Sequence, residues 1–206
     1  MKKKRKLRPE TSPAPEATVS GELVQIFGLG VFIFGDSGIG KSESVLELVG
    51  RGHRLVSDDV VRVRRTPDGR LRGRAPELSR DFMEIRGLGI INIKEIFGAR
   101  ALCAESDIDL AIRLRKWQRG REFDRLGLRF PKDHDILRVL VPQITIPVAP
   151  GRNIATLIEI ASRVHGLRRR GYQASREMVR RLNKALRTGR REGGGAGERR
   201  QRNDAR

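Results

Sequence analysis

The sequence contains a single cysteine, Cys103. One thiol cannot form an internal disulfide or supply a multi-cysteine zinc site, so a reducing cytosol is the expected compartment. Long apolar runs are also missing, and no stretch approaches the ~20 residues that span a bilayer. The basic start, MKKKRKLRPE, leads into TSPAPEA instead of an apolar signal core. Secreted and membrane-spanning classes are set aside on these grounds. Aromatic residues make up only 4% of the chain, which argues against a stacking platform for single-stranded nucleic acid.

Positive charge, by contrast, is abundant: the formal net charge is +19 over 206 residues. A sum of that size suggests nucleic acid, but its distribution matters more. Residues 1–19 hold six Lys/Arg against two acids, and residues 163–206 hold fifteen against four. Residues 20–162 hold twenty-three against nineteen, so the central body is nearly balanced. Residues 1–19 are charged and Pro-containing with little to bury, and are expected to be a disordered basic tail. Residues 188–206 carry a glycine run among charges and are expected to be a second flexible tail. Residues 20–187 form the expected globular domain, a length that suits one core.

Within that domain, Glu22–Phe27 (ELVQIF) alternates apolar and polar residues and reads as a half-buried strand. Val31–Phe34 (VFIF) is wholly apolar and suits a buried strand. Glu43–Val49 carries apolar residues on one helical face, with Gly50 and Gly52 as stop signals. His53–Val63 is β-rich, and TPDG at 66–69 reads as a turn. Ile90–Phe97, Ile108–Leu114 and Leu137–Ile146 supply further strand or core segments, while Ile154–Arg163 and Arg176–Leu186 have helical periodicity. Strands alternating with helices predict a single α/β domain.

Gly35-Asp36-Ser37-Gly38-Ile39-Gly40-Lys41-Ser42 matches the phosphate-loop pattern G-x-x-x-x-G-K-[ST] at every fixed position. Glycines let backbone amides approach phosphate oxygens, and the following helix aims its positive end at the same anion. Lys41 then meets the β- and γ-phosphates, and the Ser42 hydroxyl ligates Mg²⁺. A glycine-rich turn that happens to hold Lys-Ser is the plain alternative; an apolar strand before it and an amphipathic helix after it favour the nucleotide reading. Downstream, Asp58 and Asp59 close a β stretch. In a strand their side chains point to opposite faces, so one of the two is expected to face the phosphates.

The phosphate loop with Glu43 behind it, Arg51–Val56 (RGHRLV) with the acid pair, and Met83–Asn92 (MEIRGLGIIN) together resemble the HPr kinase/phosphorylase family. Phe123–Leu128 (FDRLGL) and Pro150-Gly151-Arg152-Asn153 also resemble that family's later motifs, in order, so the similarity runs from about Ser20 to about Leu182. The resemblance implies an enzyme that phosphorylates a serine of the phosphocarrier protein HPr, or a related carrier, with ATP or pyrophosphate. It also implies phosphorolytic removal of that phosphate, in the regulation of carbon metabolism. The implied fold is a P-loop kinase domain similar to phosphoenolpyruvate carboxykinase, with a mixed sheet, flanking helices and C-terminal helices, assembled as a hexamer. Carried over by position, Lys41 is the phosphate-loop lysine, Asp59 the general base and reverse proton donor, and Arg125 a catalytic arginine. Ser42 and Glu84 become the Mg²⁺ ligands. Met83–Asn92 serves the kinase direction and Pro147–Arg152 the dephosphorylation direction. Asn153 opens a helical run, reads as its N-cap and is left out of the site.

One departure stands out. Where the family has a histidine before the first strand's glycine, this chain has Ser20-Gly21. A hydroxyl cannot hold a proton near neutral pH as imidazole does, and His53, His134 and His165 offer no sequence-evident substitute. The family's usual N-terminal domain is also expected to be absent, since nineteen residues precede the core. Two other readings therefore stay open: a nucleotide-binding regulatory protein without turnover, and a nucleic-acid or acidic-surface binder acting through the basic ends. Arg163–Arg187, a basic helical segment, is expected at a subunit interface or against an acidic partner.

Overall fold

The structure, a computed structural model, describes residues 15–118 and 133–194, with side chains to Leu186. They divide into two compact units, one containing 15–118 with 133–163 and the other 164–194.

The first unit is built on strands. The chain runs through β1 (Glu16–Ser20), β2 (Glu22–Ile26) and β3 (Leu29–Gly35) into helix α1 (Lys41–Gly50). It continues as β4 (Arg54–Ser57), β5 (Val60–Arg65) and β6 (Leu71–Arg74), then β7 (Phe82–Ile85), β8 (Gly89–Asn92) and the short α2 (Ile93–Phe97). β9 (Glu105–Asp107), β10 (Leu110–Lys116), β11 (His134–Ile136), β12 (Val139–Val141) and β13 (Gln143–Val148) follow, and the unit ends within α3 (Ile154–Arg169), at Arg163.

Five strands form a mixed sheet in the order β13-β10-β3-β2-β4. The β13, β10 and β3 neighbours run parallel, while β2 is antiparallel to both β3 and β4. The carboxyl ends of the three parallel strands therefore lie along one edge of the sheet, the edge where α/β sheets bind ligands. Four strands, β1-β5-β6-β9, make a second sheet that is antiparallel throughout. β7–β8 and β11–β12 are two-stranded ribbons.

Two apolar clusters lie on opposite faces of the five-stranded sheet. Val24, Ile26, Val31, Ile33 and Ile112 pack with Val45, Leu48 and Val49 of α1 and with Ala155 and Ile158 of α3. Leu23, Phe32 and Ala111, pointing the other way, pack with Val61, Val63 and Leu71 of the second sheet. Period-2 alternation thus sends neighbouring residues of one strand into different cores. This corrects the expectation for β2. Glu22, Leu23, Val24 and Ile26 are all buried, because β2 sits between β3 and β4 with both faces covered. The wholly apolar β3 and the TPDG turn, with the Thr66 carbonyl accepting from Gly69, match expectation.

Helix α3 begins where Asn153 Oδ1 accepts the Thr156 N–H at 2.7 Å, the side-chain cap expected of that residue. In the second unit, Tyr172 N–H returns to the Leu167 carbonyl to end α3, and α4 (Ala174–Gly194) follows. α4 continues past Thr188, where composition alone suggests a tail to begin. Met178, Val179, Leu182 and Leu186 of α4 are exposed.

Candidate active site

Each site element can be built from its neighbours. β3 ends at Gly35, which lies beside Leu114 of β10 in parallel register. The loop then rises to Gly40, which caps α1 in a left-handed conformation (φ 93°) and offers no side-chain hydrogen bond to the first turn. A non-glycine residue there would be strained, and the uncapped amides at the helix start stay available for an anion. Gly38, also left-handed, lies under Arg86: a Cβ at Gly38 would come within 2.9 Å of the Arg86 guanidinium. Arg86 therefore covers the loop from the β7–β8 ribbon, adding a second cation to Lys41. Among the described residues, the Lys41 ammonium hydrogen-bonds the Asp36 carbonyl, at 3.5 Å.

Behind the loop lies a cluster of acids. The Ser42 hydroxyl donates to Glu22 Oε1 at 2.9 Å. Glu22 is 1% exposed, and burial, reinforced by the charge of Asp58, pushes its carboxyl up to about 8. Asp58 is partly buried and accepts the Glu84 backbone N–H at 3.0 Å. Burial first, and the adjacent Asp59 charge, push the Asp58 carboxyl above its ordinary range against the lowering effect of that hydrogen bond. Among the described residues, the two buried side-chain oxygens with no hydrogen-bond partner are Glu22 Oε2 and Asp58 Oδ1. Both belong to this cluster.

The expected placement of the acid pair needs correction. Asp58 and Asp59 do not continue β4; they form the tight connection from β4 to β5, with Asp59 left-handed at φ 56°. Val60 N–H donates to the Asp58 carbonyl at 2.6 Å, and Gly21 N–H donates to the Asp59 carbonyl at 2.8 Å. The result still separates the two side chains: Asp58 turns inward to the Glu84 amide, while Asp59 is exposed. Ser20 pairs with Val60 in the β1–β5 register, so the Ser20-Gly21 step lies directly against the acid turn.

Glu84 is exposed on β7, between the buried Met83 and Ile85 that fasten the ribbon to α1. Its backbone is tied to Asp58, whose charge acts on the Ser42-bonded Glu22. Arg125 lies outside the described residues. Arg152, from the Pro147–Arg152 segment, donates to the Pro147 carbonyl at 2.7 Å. His53 is occupied elsewhere, bonded to Glu159 at 2.8 Å and edge-on to Phe27.

A divalent cation can be tested against these residues. Among the described residues, no three His, Cys, Asp or Glu side chains converge to hold a metal by themselves. The donor set nevertheless suits magnesium, which binds through one or two oxygens of protein and takes the rest from phosphate and water. A hydroxyl, an exposed carboxylate and two buried carboxylate oxygens without partners supply that chemistry. Sequence reasoning missed Glu22 and assigned Asp58 no role. An acid in a strand flanked on both sides, leading straight into the hairpin that carries the phosphate loop, was the available signal, because unpaired acids are seldom fully buried.

Among the described residues no helix is long and apolar enough to cross a membrane. The fold is a mixed α/β protein with a glycine loop at the carboxyl edge of its parallel strands. Residues 11–182 match the family HPr Serine kinase C-terminal domain. The chain belongs to this family. An HPr kinase/phosphorylase of Caldanaerobacter subterraneus subsp. tengcongensis is 46% identical over 175 residues, covering 84% of this chain and 56% of that protein. One from Geobacillus thermodenitrificans is 47% identical over 183 residues, covering 89% of this chain and 59% of that protein. The chain thus spans little more than half the length of these relatives. The solved HPr(Ser) kinase/phosphatase from Coxiella burnetii superposes with a TM-score of 0.70 at 35% identity, over 79% of this chain and 98% of that one.

Proposed function

We propose that this chain is the catalytic part of a phosphotransferase that moves a phosphoryl group from ATP or pyrophosphate to a serine of HPr or a related carrier, and removes it by phosphorolysis. The P-loop kinase reading, similar to phosphoenolpyruvate carboxykinase, applies to residues 20–187, with the charged ends as appendages. The observation that carries it is the uncapped loop at Gly35–Ser42 with Ser42 bonded to the buried Glu22, on which the charge of Asp58 in the acid turn acts.

In this reading the amides of Gly38–Ser42 cradle the β-phosphate, and Lys41 and Arg86 neutralise the transferred group. Ser42 and Glu84 would hold Mg²⁺, which would supply charge withdrawal from the phosphoryl oxygens. Asp59, exposed and rigidly presented, accepts the proton of the carrier serine as the serine oxygen bonds to phosphorus and the ADP oxygen departs. In the reverse direction, inorganic phosphate attacks the phosphoserine phosphorus. Asp59 returns its proton to the departing serine oxygen, and pyrophosphate is the product. Arg125 is assigned charge stabilisation by its motif alone.

Incubation with Mg-ATP and HPr tests this directly, and phosphoserine on the carrier is the expected product. Absence of phosphoserine at high enzyme concentration, with nucleotide bound, would refute turnover. One observation favours a second reading, a nucleotide-binding regulator without turnover: position 20, whose backbone pairs with Val60 beside the acid turn, carries a serine. A large gain of activity in Ser20→His would support it, and high activity in the unaltered chain would end it.

A further inference from the structure

Glu22 is used by neither the general-base nor the loop chemistry, yet it is the most deeply buried acid of the cluster at 1% exposure. Burying a carboxyl is costly unless it is paired, and among the described residues no cationic side chain hydrogen-bonds to it. A hydrocarbon of similar volume would pack at lower cost. Lys41 acts on it only through its charge, its ammonium reaching the Asp36 carbonyl. What Glu22 does hold is the Ser42 hydroxyl hydrogen, at 2.9 Å on Oε1. Its other oxygen is buried without a partner, as is Oδ1 of neighbouring Asp58.

A serine hydroxyl has one hydrogen and two lone pairs. It ligates a cation through a lone pair, which requires its hydrogen to be held away from the metal. Acceptors that fix a ligand in this way commonly tune metal affinity as well as orientation. We propose that Glu22 is a positioning residue of the cation site: its Oε1 takes the Ser42 hydrogen so that the hydroxyl oxygen's lone pairs face the cation. This rests on the reading of Gly35–Ser42 and Glu84 as a nucleotide–cation site.

The test uses the full chain, Mn²⁺ followed by electron paramagnetic resonance, and a non-hydrolysable ATP analogue. Glu22→Gln keeps the shape and an acceptor, whereas Glu22→Met keeps the volume and removes the acceptor. Mn²⁺ affinity is expected to fall about 10- to 100-fold in Met and to stay within about threefold in Gln. Metal-free binding of the analogue should stay within about twofold, and the metal-free melting temperature should hold or rise. In the Ser42→Ala background, the additional effect of Glu22→Met is expected to vanish, since Glu22 acts through Ser42. Mn²⁺ affinity within about twofold of the unaltered chain in Glu22→Met overturns the proposal. So does failure of both to fold, which would make Glu22 structural. If the unaltered chain takes up no Mn²⁺ with the analogue, the nucleotide–cation reading fails together with this one.

Discussion

Asp58 and Asp59 share a peptide bond and meet different surroundings, which divides labour between two identical side chains. Asp58 is partly buried and bonded to the Glu84 amide, so it sets the position of β7. Asp59 is exposed, held by a left-handed backbone and by the Gly21 amide on its carbonyl. Asp59→Asn removes a base and leaves that backbone tie intact. Phosphoryl transfer to HPr is expected to fall by about 10²–10⁴-fold with nucleotide affinity within about threefold, measured by initial rates and by titration of a fluorescent ATP analogue. An equal drop in both would mean that Asp59 shapes the loop instead of moving the proton. Lys41→Ala should behave differently. Among the described residues the Lys41 ammonium hydrogen-bonds one carbonyl, at 3.5 Å, so it supports little structure and the melting temperature is expected to stay within about 2 °C. Transfer should drop by about 10²–10³-fold, as for removal of one donor to developing charge.

At the level of elements, α1 and the first turns of α3 are joined by a polar knot. Arg51, just past the end of α1, bonds Glu159, Glu47 and Thr156, while Glu159 also takes His53. Burial opposes ionisation of Glu159, but the hydrogen bonds from His53 and Arg51 outweigh it and hold the carboxyl below its ordinary range. A lowered folded value means that the stabilisation is present above the unfolded carboxyl range near 4.5 and is lost as pH falls through the folded value. Glu159→Gln is therefore expected to cost about 1 kcal/mol at pH 7, a figure kept small because the pair is partly solvated. The two proteins should converge in urea titrations below about pH 4. A cost independent of pH would assign Glu159 a packing role. These elements were largely legible: β3, α1 and the Asn153 cap follow from apolar runs, glycine stops and a capping side chain. β2 was not, since alternation reports how many faces are polar and cannot reveal that a second sheet covers the other face. The same blindness hid Glu22, which reads as the solvent-facing start of a strand, and placed Asp58 and Asp59 in a strand when they make its turn. Lys41 and Ser42 were proposed from the spacing of the phosphate-loop motif, and Glu84 from the family resemblance. The Ser42–Glu22 bond joins residues twenty apart, and no local pattern encodes it.

For the molecule as a whole, the question raised by the net charge of +19 is whether the basic ends serve the phosphotransfer site or a separate polyanion. Residues 1–14 and 195–206 together carry ten Lys/Arg and three acids, while both apolar clusters lie within residues 23–161. Removing the ends takes away charge and leaves the residues of both clusters in place. A chain trimmed to 15–194 is expected to melt within about 2 °C of the full chain and to phosphorylate HPr at an unchanged rate in about 0.15 M salt, where exposed charges act over only ~8 Å. Its affinity for duplex DNA should fall, with a shallower dependence of log affinity on log salt, because each DNA phosphate that the ends neutralise contributes about 0.9 to that slope. Retained DNA affinity would move the polyanion surface onto the body, where α4 also carries Arg176, Arg180 and Arg181. A selective rise in the KM for HPr on trimming would show instead that the ends steer an acidic carrier to the acid turn, and the salt dependence of kcat/KM would then disappear together with the ends.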